Sequence, residues 1–300
     1  MMFKNTGNLD VMAYLERINY KGPCQPTIDC LRQLHVAHLT SVPFENLSIH
    51  CGEDIVLDLP LVYDKVVWRH RGGFCYELNR LFAWLLEQMG FSVILISASV
   101  YHLYTQRYGP PGDHMLLLVS LSSGRRVLAD VGFGSGFRLP LFLEDGIKDV
   151  QVNGTFRLRL DSGMWFMEQL NFTGLEPNTP GCVAKNGDVW VPRFKFNLTE
   201  KCWSDFSAMS IYQQVSPAAL CCCKSLCSKH IPHGKITYMG WRVISTVYED
   251  GKAQKTSRPI TEEEIPVFLK DNFGFTLPSK LISKDEPIQE TCSNQHPVQH

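Results

Sequence analysis

Arg71-Gly72-Gly73-Phe74-Cys75-Tyr76-Glu77-Leu78-Asn79 sets a cysteine directly after a glycine pair, where apolar residues begin to recur at helical spacing. Leu78, Leu81, Phe82, Leu85, Leu86 and Met89 follow the i, i+3, i+4, i+7, i+8 rhythm of one helix face, and Gly90 stands where a C-terminal cap belongs. The spacing predicts a helix over 75–89 with Cys75 in its first turn. Unpaired backbone N–H groups and the helix dipole favour an anion there, which lowers the pKa of a thiol and readies it to attack. Arg71 adds a neighbouring positive charge to that expectation. The competing reading is a small core hydrophobe, the usual fate of a buried cysteine. A partner base decides between the two.

Outward from this helix, the first 90 residues read as mostly helical. Thr27 to Leu39 is the other clear segment, and Ser41 to Leu47 is a proline-marked turn. The texture changes after Gly90. Residues 91–101 are rich in β-branched side chains, followed by His114 to Leu121 and Arg126 to Val131 around the turn Ser122-Ser123-Gly124. Gly154 to Leu160 and Met164 to Leu170 form a further hairpin pattern around Asp161-Ser162-Gly163. This middle stretch reads as an antiparallel β domain, barrel or sandwich. Strands return at Lys235 to Met239 and Trp241 to Tyr248, before a turn at Asp250-Gly251. Thr261-Glu262-Glu263-Glu264 then opens a helix with a capping-box pattern. Residues beyond Lys284 are polar and aromatic-free, the composition of a mobile or loosely docked tail.

Composition narrows the function. With 300 residues the chain is long enough for two or three modules and a sizeable core. A formal net charge of −1 offers no electrostatic case for nucleic acid or an anionic membrane surface. No apolar run reaches the roughly 18 residues of a membrane span. The first 20 residues carry Lys4, Asp10, Glu16 and Arg17 rather than the apolar stretch of a signal peptide, so a cytoplasmic protein is expected. The 11 cysteines are odd in number and include the run Cys221-Cys222-Cys223, which favours free thiols over a disulfide framework. Cys227, His230 and His233 hint at metal, but no C-x2-C pair accompanies them and Pro232 interrupts the spacing, so no metal is expected.

A nucleophilic cysteine needs a base, usually histidine, and a third group to orient it. His35 and His38 fall on a helix, where a surface or packing role is expected; His50 and His70 lie near loops; His296 and His300 lie in the tail. His114 differs, because it follows the rigid turn Gly109-Pro110-Pro111-Gly112-Asp113 and opens an apolar strand at a domain edge. In the next strand Asp130 is a lone carboxylate in an apolar run, which is costly unless paired. Antiparallel neighbours joined by a short turn can bring His114 and Asp130 side by side. Cys75, His114 and Asp130 thus fill the roles of nucleophile, base and orienter. A thiol hydrolase or a transglutaminase would share that triad and differ only in where the acyl group goes.

Several further motifs fall in a known order: Ala13 to Ile18 (AYLERI), Pro43 to Leu47 (PFENL), Arg71 to Cys75 (RGGFC), His114 to Leu117 (HMLL) and Asp130 to Gly134 (DVGFG). On these the chain resembles the arylamine N-acetyltransferases along nearly its whole length. The resemblance implies an α+β fold of three domains: an N-terminal helical bundle over 1–90 carrying Cys75, an antiparallel β-barrel over 91–205 carrying His114 and Asp130, and a C-terminal α/β lid over 206–300. It implies ping-pong transfer of acetyl from acetyl-CoA, through an acetyl-cysteine, to arylamines, arylhydrazines and N-hydroxyarylamines. Its partners would be coenzyme A and the small acceptor, with the chain a monomer. By position it implies coenzyme A contacts at Pro110, Pro111, Asp113, His114 and Tyr212, and acceptor contacts at Phe44, Val100, Phe133, Ser135 and Phe137. Ala218 stands where vertebrate relatives usually carry a hydroxyl, Glu77 is closer to the bacterial pattern, and the tail lacks the aromatic ending of mammalian members. If the segment after Asp130 stays extended, Phe133, Ser135 and Phe137 share one face. They would then make a slot for compact, single-ring acceptors that Phe137→Ser should widen.

Overall fold

The structure, a computed structural model, describes residues 9–103, 105–171, 182–183, 189–249 and 252–289. The expected turn at Asp250-Gly251 and the end of the tail lie outside these residues. Five α-helices open the chain: α1 Val11–Arg17, α2 Ile28–Ser41, α3 Leu47–His50, α4 Leu59–Tyr63, which runs on into a π-helical turn over Asp64–Trp68, and α5 Cys75–Gln88. Side chains start the first two. Asp10 accepts from the Met12 N–H at 2.7 Å and Thr27 from the Cys30 N–H at 3.2 Å, each satisfying an orphan donor of a first turn.

The periodic face of α5 is buried as its spacing predicts, but so are Tyr76, Asn79, Ala83 and Trp84 on the other sides. The helix sits at the centre of the bundle, between α1 and α4 on one flank and strands on the other. Those strands are β2 Ser92–His102 and β4 His114–Ser120. Between them the short β3 Arg107–Tyr108 pairs with β2.

The chain continues through β5 Arg126–Ala129, β6 Leu141–Phe142, β7 Asp149–Gln151, β8 Gly154–Asp161, β9 Met164–Leu170, β10 Cys182–Val183 and β11 Val189–Lys201. The antiparallel order β6-β5-β4-β2-β11-β9-β8-β7 curls into a nearly closed barrel, with β10 added at β11. The apolar run of β4 is explained by burial on both faces. Met115, Leu117 and Val119 pack on the α5 core, whereas Leu116 and Leu118 join Phe156, Phe194 and Phe196 inside the barrel.

After a 3-10 turn come α6 Ser207–Val215 and α7 Leu220–Cys223. A meander follows of β12 Leu226–Ile231, β13 Gly234–Met239, β14 Arg242–Glu249 and β15 Lys252–Pro259, and then α8 Ile265–Phe273. The Thr261 capping box is present, its N–H donating to Glu264 at 2.9 Å. The PFENL segment is not simply a turn. Its residues Phe44–Glu45 form β1, which pairs with β12 and so joins this motif to the last sheet. The tail through residue 289 is also tied down rather than loose. Asp285 takes both Lys224 at 2.6 Å and Arg242 at 2.7 Å, and the Gln289 N–H donates to the Pro217 carbonyl. Among the described residues no helix is long and apolar enough to cross a membrane.

Candidate active site

The start of α5 is held by a buried polar frame. Gly72 and Gly73 are required by close approach: a Cβ on Gly72 would collide with the Pro43 carbonyl, and one on Gly73 would sit 2.7 Å from the Glu77 carboxylate. The Glu45 N–H donates to the Gly73 carbonyl at 2.9 Å, so PFENL and RGGFC lie side by side. Arg71 does not serve the thiol as expected. Its guanidinium forks onto Glu45 at 2.9 and 3.1 Å, where it is committed. Burial would raise the Glu45 carboxyl, but the charges of Arg71 and Lys65 outweigh it and hold it below the usual range. Glu77 closes the frame, accepting from the Phe74 N–H at 3.0 Å and from Lys65 at 2.8 Å.

Cys75 is 7% exposed, at the first position of α5. Burial pushes its thiol well above the ordinary value, and the neighbouring Cys221 adds to the shift. The helix terminus alone does not ionise this thiol; a thiolate here needs a cation beside it. His114 faces the same cavity as Cys75. Its Nε2 lies 2.8 Å from the Asp130 carboxylate, which leaves Nδ1 for proton exchange. The strand ladder alone does not bring His114 and Asp130 together. Leu117 faces Ala129, so its continuation would set His114 against Gly132, and β5 ends before Asp130. The side chains meet diagonally instead.

Burial works against the Asp130 charge, but His114 and hydrogen bonds from the Asn79 amide and the Gly132 N–H prevail and hold its pKa below the usual carboxylate value. Two supporting residues were not anticipated. Asn79 donates to the Met115 carbonyl at 2.6 Å and to Asp130 at 2.9 Å while accepting from the Val131 N–H. Of the surface or packing role expected of His35 the structure keeps only the buried one, and adds a polar role: its Nε2 accepts from the Asp130 N–H at 3.1 Å and its Nδ1 meets the Arg138 carbonyl at 2.8 Å. Burial lowers its pKa to about 4, so it is neutral and carries its proton on Nδ1.

The cavity is about 270 Å³. Phe44, Val100, Phe133, Ser135, Pro110, Asp113, His114 and Tyr212 line it, together with Ala218 to Cys221 from the C-terminal part. The Tyr76 hydroxyl donates to the Gly112 carbonyl at 2.7 Å, fixing the proline turn beside the helix start. Two expected residues are not among those lining it. Pro111 points outward to solvent, and Phe137 is 2% exposed within the barrel, stacked on His35 at 5.9 Å. The segment over 131–136 is a succession of bends with Gly134 at φ 72°, so side chains do not alternate with period two. Phe137→Ala is therefore expected to cost about 3–5 kcal/mol of stability and to leave unchanged the kcat/KM ratio between one-ring and two-ring amines. Denaturant melts and paired kinetics check it. Cys227 and His230 lie on opposite faces of β12, and no cluster of three or more metal-ligating side chains occurs among the described residues.

The sequence profile of the N-acetyltransferase family matches residues 27–282. The chain belongs to the arylamine N-acetyltransferase family. It is 35% identical to the pineal gland isozyme of chicken arylamine N-acetyltransferase over 281 residues, covering 91% of this chain and 97% of that one. Human arylamine N-acetyltransferase 1 is 32% identical over 283 residues, covering 92% and 97%. Among solved structures, the Salmonella typhimurium arylamine N-acetyltransferase superposes with a TM-score of 0.76 at 27% identity, over 88% of this chain and 90% of that one. The Mycobacterium marinum enzyme in complex with CoA gives 0.76 at 26%, over 89% and 93%. The chain is thus an acyltransferase with the α+β fold of the arylamine N-acetyltransferases.

Proposed function

We propose that Cys75 carries the acetyl group, that His114 is its base and that Asp130 orients the imidazole. One observation carries this: the buried His114–Asp130 pair at 2.8 Å, its imidazole opening onto the same cavity as the thiol. Acetyl-CoA is the donor. His114 takes the thiol proton through Nδ1, and the imidazolium compensates the thiolate that burial alone would forbid. The thiolate attacks the thioester carbonyl, and coenzyme A leaves with the proton. The Cys75 N–H, a first-turn donor without a helical acceptor, faces the developing oxyanion. An arylamine is neutral at pH 7, so its lone pair attacks the acetyl-cysteine carbonyl directly, His114 accepts the amine proton, and the C–S bond breaks to release the amide and return Cys75 as the thiolate.

Coenzyme A enters by Pro110, Asp113 and Tyr212, which line the cavity together with His114. The acceptor ring lies against Phe44, Val100 and Phe133, with Ser135 beyond. The free thiols at Cys24, Cys30, Cys51, Cys75, Cys202, Cys227 and the Cys221–Cys223 run suit a reducing compartment, and we place the enzyme in the cytosol as a monomer.

The test is steady-state kinetics with acetyl-CoA and a panel of arylamines and arylhydrazines, preceded by a donor-only experiment. One equivalent of coenzyme A per chain is expected as a burst without acceptor, and parallel double-reciprocal lines with it. Steady release of acetate with no acetylated amine would overturn the assignment in favour of a thiol hydrolase.

A further inference from the structure

The loop that carries Phe133 away from Asp130 has no ladder of its own. Residues 131–137 lie between β5 and β6, and among the described residues they make no backbone-to-backbone hydrogen bond. Side chains hold the loop from two walls instead. On the catalytic side the Val131 N–H donates to Asn79 and the Gly132 N–H to Asp130. On the far side Lys235 of β13, which lines the cavity, donates to the Gly134 carbonyl at 3.4 Å. Arg193 of β11 donates to the Ser135 hydroxyl at 3.0 Å, and Asn153 to the Gly136 carbonyl at 2.8 Å.

Arg193 is the unexpected member of that set. A strand position this buried ordinarily holds an apolar side chain. The strand presents it through an irregularity: Pro192 faces Glu168 and Phe194 faces Met167, which leaves Arg193 as the extra residue of a β-bulge. The bulge turns two consecutive side chains onto Phe133. The Phe194 ring stands T-shaped to it at 5.3 Å, and the Arg193 guanidinium lies 5.4 Å from its centroid. The His114 ring is 5.1 Å from the same phenyl group. Burial lowers the Arg193 pKa to about 10, so the guanidinium keeps its charge at neutral pH. Gln169 accepts from it at 2.8 Å and donates to the Asn153 carbonyl at 3.3 Å, so the tethers on Ser135 and Gly136 are linked. Arg193 is not among the residues lining the cavity. Resting on the reading that the acceptor ring lies against Phe133, we infer that Arg193 is a positioning residue for the second half-reaction: from behind the cavity wall it fixes Phe133, and with it the seat of the acceptor ring.

The probes are 4-methylaniline, which needs the seat, and hydrazine, which attacks the same acetyl-cysteine with no ring to place. Arg193→Met is expected to lower the ratio of kcat/KM for 4-methylaniline to that for hydrazine at least about tenfold, mostly through the arylamine KM, and Arg193→Lys to recover most of it. The donor-only coenzyme A burst and kcat/KM for hydrazine should stay within about twofold of wild type in both variants, a split that general loosening of the fold would not produce. Asn153→Ala gives a second reading with Arg193 in place. It frees the Gly136 carbonyl from its tether, and the ratio should fall at least about threefold. A ratio unchanged within about twofold in Arg193→Met, or in Asn153→Ala where the arginine variant does not fold, overturns the inference. A burst slowed as much as the arylamine rate overturns it too, and would assign Arg193 to the support of His114. Absence of any burst in the wild type would instead remove the underlying transfer reading.

Discussion

Serine at position 75 is expected to lower kcat/KM for acetyl transfer by at least about four orders of magnitude, the loss typical of a deleted nucleophile in a coupled triad, while shifting the thermal midpoint by no more than about 4 °C. The size of the loss follows from the electrostatics. Burial raises the Cys75 thiol, so its reactive form exists only as a pair with His114. A serine hydroxyl is several orders of magnitude less acidic, and the same imidazole cannot ionise it. The structural effect is small because serine fills the same first-turn position and adds one hydroxyl at the cavity wall. Cys221 is the competing site, since it is the other thiol lining the cavity. Burial pushes its pKa to about 12, and the neighbouring His50 imidazole bonds the Cys221 carbonyl rather than the sulfur. Mass spectrometry of wild type treated with acetyl-CoA alone should find a single acetyl on the peptide of Cys75. A label on the Cys221 peptide would sink the assignment.

What could be read beforehand and what could not divides along physical lines. Helix α5 and strand β4 announced themselves because burial imposes a period on many residues at once. Strand β1 spans Phe44–Glu45, too short to show a period, and its partner Ser228 lies far along the chain. The supporting polar residues left a fainter signal. Leu31, Leu34, His35, His38 and Leu39 fall on one face of α2, so both histidines interrupt an apolar stripe. Asn79 stands one turn after Cys75, on the same face. Polar residues in such places are buried, and a buried polar group must be paired. The error at Phe137 had the opposite cause. A period-two argument needs extended chain, and the glycines of Gly132-Phe133-Gly134-Ser135-Gly136 permit the bends that send Phe137 into the barrel. Arg71 misled because its nearness to Cys75 in sequence said nothing of Glu45, which competes for it across the fold. Nothing in the strand pattern of β13 reveals that its lysine opens onto a cavity.

Asp130→Asn is expected to reduce kcat/KM about 10³- to 10⁴-fold, more than its small change in shape suggests. In the native site Asp130 accepts on both oxygens. Oδ1 takes the Asn79 amide and the Gly132 N–H, each at 2.9 Å, and Oδ2 takes His114 Nε2 at 2.8 Å. An asparagine keeps its carbonyl toward the two donors that need an acceptor, so its NH₂ turns toward His114. That group donates to Nε2, the imidazole proton moves to Nδ1, and no lone pair remains to receive the thiol proton. The compensating charge is lost in the same step, and the imidazolium that would stabilise the thiolate becomes costly. The sign of the pH effect follows as well. With its folded pKa held below the unfolded one, Asp130 stabilises the protein above about pH 4 and loses that contribution as the pH falls through the folded value. At neutral pH the variant forfeits it, and a lower thermal midpoint is expected. Because instability could imitate a catalytic defect, the deciding measurement is local. Alkylation of Cys75 by iodoacetamide in the folded variant should slow in parallel with the donor-only burst, since both report the thiolate. A folded Asp130→Asn enzyme whose alkylation rate and kcat/KM stay within tenfold of wild type would show that another group orients His114.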